Sequence, residues 1–255
     1  MNLVLFEARE LQMRDGMFYA EMPPRDPRVV HLLKTLHKTA GDSFAAGLMG
    51  GNCGYGTIVS PGPPFTVTLT LNEPPPARLP VCLGAGFARP IQLRRILREA
   101  ANFGLESVDL FGTSLGEKSY RNTTLLEDGG AYQAMLEGAI EARDTRLPAV
   151  HVYDRTDLWL SAPLRPGRLV ALDNENPAGS FFDLSPPFSP AEAGFTLAVG
   201  SERGWSDRER TILEAAGFTR LSIGDRALRT ETACIAAIVL AMAHLEKARR
   251  RAPTA

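Results

Sequence analysis

The sequence predicts an α/β protein in two parts, a small, mostly β unit followed by a larger unit with a parallel sheet. From residue 79 onward, strand-like apolar segments alternate with helical ones, which is typical of a parallel sheet covered by helices on both faces. Before that point, Phe65 to Leu71 alternates strictly, as half-buried strands do. The segment NEPPPARLP lies between the two patterns, and its prolines stiffen the backbone without donating to a sheet. We therefore expect one domain over residues 1–72, a linker over 73–80, a second domain over 81–248 and a tail over 249–255.

In the first part, the expected strands are LVLFEA at residues 3–8, Ser43 to Leu48, and Phe65 to Leu71. Pro27 should open a helix, because proline suits a first helical position. In the second part we expect strands at residues 79–83, 107–111, 149–153, 169–172, 195–199 and 220–223. Helices are expected at residues 91–103, 130–143, 207–216 and 231–247. The last helix is apolar nearly all round, so Val239, Leu240 and Met242 should be buried.

Composition limits the possible settings of the protein. The chain has 255 residues, a net charge of −1 and three scattered cysteines without metal-ligand spacing, which favours a reduced, cytoplasmic setting. Met1 to Ala8 lacks the features of a signal peptide. The longest apolar run, Ala233 to Ala243, is far short of the roughly 20 residues that span a bilayer. The histidines form no cluster, so no metal site is expected, and a nucleic-acid partner would require basic residues gathered on one face.

Two glycine turns follow strands near the C-terminus. The first, Gly200 to Gly204, comes just before a Ser206-to-Glu209 capping box. Free backbone N–H groups at such a helix start can meet a polar ligand, and Glu202 can accept hydrogen bonds from ribose hydroxyls or an amino group. The alternative is an ordinary turn from strand to helix.

The second turn, GDRALRTE, begins at Gly224 and leads into the last helix, with Thr230 as a candidate N-cap. Arg229 and Glu231 lie beside this apolar helix. Either they pair and cap it, or Arg229 faces a reaction centre.

A third glycine cluster resembles a dinucleotide-binding fingerprint. LGAGFAR follows a strand, and Asp109 lies 20 residues beyond Arg89. However, Arg89 replaces the third glycine and Pro90 follows it, which opposes the close helix packing that this site needs.

The segment VGSERGW, together with LSIGDRALRTETA, resembles the cofactor-binding signature of the SPOUT RNA methyltransferases. Within that class the chain is most similar to the small-subunit rRNA uracil-N(3) methyltransferase family. Ser201 and Arg203 stand where that family usually has proline and glycine. The family motif Gln-Ser-Gly-Arg is missing from EGAIEARDTRLP.

The resemblance implies a SPOUT α/β trefoil-knot domain, a PUA-like N-terminal RNA-binding domain and a homodimer. It implies methylation of a uridine N3 in 16S ribosomal RNA, with S-adenosylmethionine as cofactor and ribosomal RNA or the small subunit as partner. Two alternatives stay open: a methyltransferase with another RNA target, and a non-catalytic RNA-binding or assembly protein.

The same resemblance implies roles for individual residues. Arg229 would hydrogen-bond the uracil carbonyl, and Glu231 would orient Arg229 or act as base. Arg146, Arg203 and Arg226 are expected to contact RNA. The residues expected around the cofactor are Leu172, Gly200, Glu202, Gly204, Leu221, Ile223, Gly224 and Leu228.

Overall fold

The computed structural model describes residues 3–14, 16–163, 167–184 and 194–251. Its compact units are Met1–Ala77 with Leu136–Leu147, and Arg78–Met135 with Pro148–Ala255. The predicted tail at 249–255 falls partly in the last helix, and residues 252–255 lie outside the described residues. The predicted domain boundaries stay a prediction.

The first unit is mostly β, as predicted. Its elements are β1 Val4–Phe6, β2 Gln12–Arg14, β3 Met17–Met22, α1 Pro27–Val30, β4 Ser43–Leu48, β5 Cys53–Ser60 and β6 Phe65–Glu73. Among the described residues, six strands form one sheet in the order β1-β4-β5-β6-β3-β2. The β1–β4 pair is parallel and the others are antiparallel. Phe6, Leu32 and Phe65 are fully buried in its core.

Strand β5 is not among the strands expected from the sequence, because residues 50–56 are rich in glycine, which is more typical of turns. In the structure Gly54 and Gly56 lie within β5. A Cβ at Gly54 would overlap the carbonyl oxygen of Thr70, and one at Gly56 would overlap the ring of Phe44. These glycines therefore permit close packing within the sheet rather than a turn.

The second unit alternates strands and helices, also as predicted. Its elements are β7 Leu79–Gly86, α2 Pro90–Asn102, β8 Leu105–Phe111, α3 Thr124–Glu127, the first part of α4 Gly130–Ala142, β9 Ala149–Tyr153, α5 Thr156–Ser161, β10 Arg168–Leu172, β11 Gly179–Ser180, β12 Phe195–Val199, α6 Asp207–Ala215, β13 Thr219–Ser222 and α7 Thr230–Arg251. Seven strands of the described chain form a sheet in the order β11-β13-β10-β12-β7-β8-β9. Every neighbouring pair in it is parallel.

The strand order brings three late strands side by side, because β12 lies between β7 and β10 and β13 lies on the other side of β10. Leu172 pairs with Val199 on one side and Leu221 on the other. The carboxyl ends of β10, β12 and β13 therefore lie side by side at one edge of the sheet. Parallel α/β sheets bind ligands at this edge. After β13 the chain returns as α7, which packs against α2, β7 and β12.

Helix α7 is buried on one face only, which corrects part of the sequence prediction. Cys234, Ala237 and Ile238 are fully buried. Val239 and Met242 are 41% and 40% exposed, and Leu240 is half-buried. Within this single chain these last three residues are not fully buried, because only one side of the helix faces its own sheet.

Candidate functional site

A cavity of about 300 Å³ lies where the loops after β10, β12 and β13 meet. We call it the first cavity. It is lined by residues 172–175 and 199–205, by most of 223–228, and by Arg210, Thr230 and Ala233. The sheet topology alone brings these sequence-distant segments together.

The loop after β12 is held to the sheet by Trp205. The Trp205 ring is buried, and its Nε1 donates to the carbonyl oxygen of Leu172 at 2.8 Å. The turn is closed by a hydrogen bond from Gly204 N to Ser201 O at 2.9 Å. Gly204 has a φ of +73°, a conformation that favours glycine. A Cβ at Gly200 would lie 3.0 Å from Gly204 O, so this turn has little room for side chains.

Helix α6 begins with the predicted capping box. Ser206 N donates to Glu209 Oε2 at 2.9 Å, and Glu209 N donates to Ser206 Oγ at 3.3 Å. The other oxygen of Glu209 accepts from Ser114 N and Thr156 Oγ1, both at 2.8 Å. Burial raises the pKa of Glu209, but these hydrogen bonds outweigh burial and hold the pKa below its usual range. The ionised carboxylate thus joins three loops.

Asp173 was missed by the sequence analysis, although its place directly after β10 was a usable signal. Its buried carboxylate accepts from Arg210 Nε at 2.8 Å and Arg220 Nη1 at 3.0 Å. Burial raises the pKa of Asp173, but the hydrogen bonds from Arg210, Glu175 N and Arg220 outweigh burial and hold the pKa below its usual range. This cluster fixes one wall of the first cavity.

The loop after β13 forms the opposite wall. Gly224 has a φ of +110°, and Arg226 and Leu228 line the cavity with exposed side chains. Leu228 is 41% exposed and so presents an apolar surface at the cavity. Helix α7 begins at Thr230, one residue earlier than predicted, and the N-cap role of Thr230 stays a prediction.

Arg229 and Glu231 lie at the start of α7 but do not line the first cavity. Within the described part of the chain, the exposed side chain of Arg229 has no hydrogen bond or ion pair. Glu231 is buried, and its Oε1 lies 4.0 Å from Nη1 of Arg95. The alternative in which Arg229 pairs with Glu231 is therefore not the arrangement seen.

The structure brings together most of the residues expected to bind cofactor and RNA. Those lining the first cavity are Leu172, Gly200, Glu202, Arg203, Gly204, Ile223, Gly224, Arg226 and Leu228. Leu221 is buried within β13 beneath the cavity wall. Arg146 belongs to the first unit, where its guanidinium hydrogen-bonds Asp144 and the carbonyl of Pro76.

Residues 75–242 match a family model described as an RNA methyltransferase domain. The chain belongs to the SPOUT RNA methyltransferase family. It is 35% identical to ribosomal RNA small subunit methyltransferase E of Treponema pallidum, over 99% of this chain and 95% of that protein. It is 27% identical to ribosomal RNA small subunit methyltransferase E 1 of Borreliella burgdorferi, over 96% and 99%.

Solved structures confirm the fold of this RNA methyltransferase. A ribosomal RNA small subunit methyltransferase E from Neisseria gonorrhoeae, bound to S-adenosylmethionine, matches with a TM-score of 0.73 at 15% identity, covering 94% of this chain and 95% of that one. A Legionella pneumophila protein in complex with the same cofactor matches at 0.70 and 16% identity, over 95% and 97%. The predicted SPOUT α/β class is confirmed.

In the described residues, no cluster of three histidine, cysteine or carboxylate side chains is arranged to hold a metal ion. No helix in the described ranges is both long and apolar enough to cross a membrane.

Proposed function

We propose that this enzyme transfers a methyl group from S-adenosylmethionine to N3 of a uridine in 16S ribosomal RNA. The observation that supports this most is the first cavity, because it joins the turns at Gly200 and Gly224 whose motifs resemble the uracil-N(3) family. The two relatives named as ribosomal RNA small subunit methyltransferases support 16S ribosomal RNA as the substrate. We propose that the enzyme works in the cytoplasm, on ribosomal RNA or the small subunit.

The residues of the first cavity fit S-adenosylmethionine. Its volume of about 300 Å³ is at the lower end of small-molecule sites. Glu202 offers a carboxylate for ribose hydroxyls or the amino group, and Arg226 offers a cation for the methionine carboxylate. Leu228 offers an exposed apolar surface for an adenine ring. We propose that Leu172, Gly200, Leu221, Ile223 and Leu228 surround the adenosine through their backbone.

Alignment and electrostatics are the main tasks left to the protein. When bound, S-adenosylmethionine supplies a methyl group on a sulfonium that is its own leaving group. The uracil N3 holds a proton at neutral pH, so negative charge develops on the ring as that proton is lost. We propose that Arg229 donates a hydrogen bond to the uracil carbonyl where this charge develops. Its exposed guanidinium has no partner elsewhere in the described chain, so it is available for this role.

Glu231 is proposed to position Arg229 through the start of α7, without a direct ion pair, rather than to act as a general base. Its buried carboxylate lies near Arg95 of α2 and sits in the first turn of α7. A negative charge there favours the helix start, from which Arg229 projects toward solvent.

RNA contacts are proposed for three arginines. Arg203 and Arg226 lie on the rim of the first cavity, exposed and without ion pairs in the described segments, so their guanidinium groups can meet phosphates. Arg146 is proposed to contact RNA from the first unit. That unit is proposed to be the PUA-like RNA-binding domain.

We also propose that the enzyme is a homodimer. Val239 and Met242 of α7 are exposed, and so is Ile91 on the neighbouring helix α2. Exposed apolar side chains on two packed helices suit a protein interface, and a second copy of α7 would complete the burial that its sequence predicts.

Mass spectrometry of 16S rRNA nucleosides tests the proposed reaction. Deletion of the gene should remove N3-methyluridine, and the wild-type gene should restore it, whereas Arg229→Ala should not. Loss of a different modified nucleoside would show another RNA target. Unchanged modification would support the non-catalytic alternative.

A further inference from the structure

A second cavity, of about 420 Å³, lies at the carboxyl ends of β7, β8 and β9. Its walls come from the segments just after these strands, from the loop over residues 113–122, and from the first turns of α5 and α6. It is larger than the first cavity and shares no lining residue with it. The RNA contacts proposed above do not use it.

The two cavities adjoin opposite sides of the turn over residues 200–204. A Cβ on Gly86 would lie 2.7 Å from Ser201 N, and one on Gly116 would lie 3.4 Å from Ser201 Cβ. Ser201 itself lines the first cavity, whereas Gly116 lines the second. A molecule in the second cavity would therefore lie one turn of backbone away from the proposed methyl donor.

One residue that lines the second cavity has an unsatisfied polar atom. Thr113 lines the second cavity, and its Oγ1 is buried without a hydrogen-bond partner in the described chain. Buried polar atoms are nearly always hydrogen-bonded, so an orphan next to a cavity indicates a missing partner. The neighbouring Asn122 offers an amide with both donors and an acceptor.

The charges of the cavity divide into paired and unpaired groups. Arg121 is paired with Asp154, and Arg155 with Asp157. Lys118 and Arg208 are exposed and form no ion pair within the described ranges. Two unpaired cations at the edge of a cavity suit a phosphate group.

The cavity wall also carries two carboxylates without an ion pair in the described chain, Glu117 and Glu209. Both oxygens of Glu209 already accept hydrogen bonds, from Ser114, Thr156 and Ser206. Beside it, Phe87 and Ile212 provide apolar surface. The cavity therefore combines an apolar wall, amide and hydroxyl groups, and two cations.

We propose that the second cavity binds one nucleotide of the RNA that flanks the methylated uridine. The ligand class is a nucleoside 5′-phosphate within single-stranded RNA, with its phosphate near Lys118 and Arg208 and its base near Asn122 and Thr113. This inference rests on the proposed function in taking RNA as the substrate. It adds a binding site on the half of the sheet away from the cofactor motifs.

Uridine 5′-monophosphate is a suitable probe, measured by calorimetry with the full-length protein. The wild type should bind it, and Lys118→Ala/Arg208→Ala should weaken binding at least about tenfold. Lys247→Ala/Arg249→Ala removes the same charge from the exposed end of α7, and should leave the dissociation constant within about twofold. Thr113→Val should weaken the binding of the nucleotide and the binding of unphosphorylated uridine by a similar factor, because it removes a hydroxyl and not a charge.

Several results would overturn the inference. One is that the wild type does not bind uridine 5′-monophosphate at 10 mM, roughly the weakest binding that matters for one subsite. Another is that both double variants weaken nucleotide binding equally. A third is that inorganic phosphate binds as tightly as the nucleotide. In methylation assays, the Lys118→Ala/Arg208→Ala variant should raise KM for RNA and leave kcat unchanged at saturating RNA. If wild-type methylation of uridine is absent while the nucleotide still binds, the proposed function fails and this site stands. If methylation is intact and the nucleotide does not bind, only this site fails.

Discussion

Replacing Asp173 with asparagine tests how the wall of the first cavity is held. The carboxylate is 1% exposed and accepts from Arg210 at 2.8 Å and Arg220 at 3.0 Å. Its other oxygen accepts from Glu175 N at 3.1 Å. Asparagine keeps the size of the side chain and one acceptor oxygen but removes the charge that both guanidinium groups face.

The cost follows from what the arginines retain. Removing one partner of a buried ion pair costs about 3–5 kcal/mol when the other charge is left uncompensated. Here Arg210 keeps Asp207 and Glu175, and Arg220 keeps Glu214. We therefore expect a loss of about 2 kcal/mol in the free energy of unfolding. For a chain of this length that lowers the melting temperature by about 4–8 °C.

Thermal unfolding monitored by circular dichroism measures this cost. Asp207→Asn is the matched control, because Asp207 pairs with the same Arg210 at 2.9 Å but is 97% exposed. The control should lower the melting temperature by less than about 2 °C, since exposed pairs contribute little. Equal melting temperatures for Asp173→Asn and the wild type would refute the structural role of the carboxylate.

The pH dependence supplies an independent check. Because the pKa of Asp173 is lowered in the folded protein, its stabilisation is fully present above its unfolded pKa of about 4. It is lost as the pH falls through the lower folded value. The difference in stability between the wild type and Asp173→Asn should therefore be large at pH 7 and shrink toward pH 3. A difference that is the same at both pH values would contradict this assignment.

Three further predictions concern the cofactor, the reaction and the dimer. Trp205→Phe removes the donor to the Leu172 carbonyl, which should cost about 1–3 kcal/mol in the free energy of unfolding, and calorimetry should show weaker binding of S-adenosylmethionine. The control Trp159→Phe, which lies outside the first cavity, should destabilise the protein without weakening cofactor binding. Arg229→Ala should abolish methylation while calorimetry shows unchanged cofactor binding, and turnover within about tenfold, or roughly 1.4 kcal/mol of barrier, would refute its role. Val239→Glu should convert a dimer to a monomer in light scattering, and an unchanged mass would contradict the proposed interface.

Much of the second unit could be predicted, because its strands and helices obey local rules. Each predicted strand from residue 79 onward corresponds to an observed one, and the capping box at Ser206 forms as its spacing requires. The resemblance of the two glycine turns then identified the segments that line the first cavity. Local patterns sufficed where a motif and its contacts lie close together in the chain.

Other features depend on packing between distant segments and had no local signal. The glycines of β5 look like a turn because the close approach of Thr70 is not visible in sequence. Gly84 in the dinucleotide-like segment is explained by the ring of Trp159, which a Cβ would approach to 2.5 Å. The partial exposure of α7 was also unpredictable, because an apolar sequence does not distinguish a face covered by its own chain from one left for a partner.

The central claim is that the loops after β10, β12 and β13 hold S-adenosylmethionine. A crystal structure of this protein grown with S-adenosylmethionine tests it most directly. We expect electron density for the adenosyl group between residues 172–175, 199–205 and 223–228. Density for the adenosyl group in the second cavity or elsewhere on the protein, with the first cavity empty, would contradict the account.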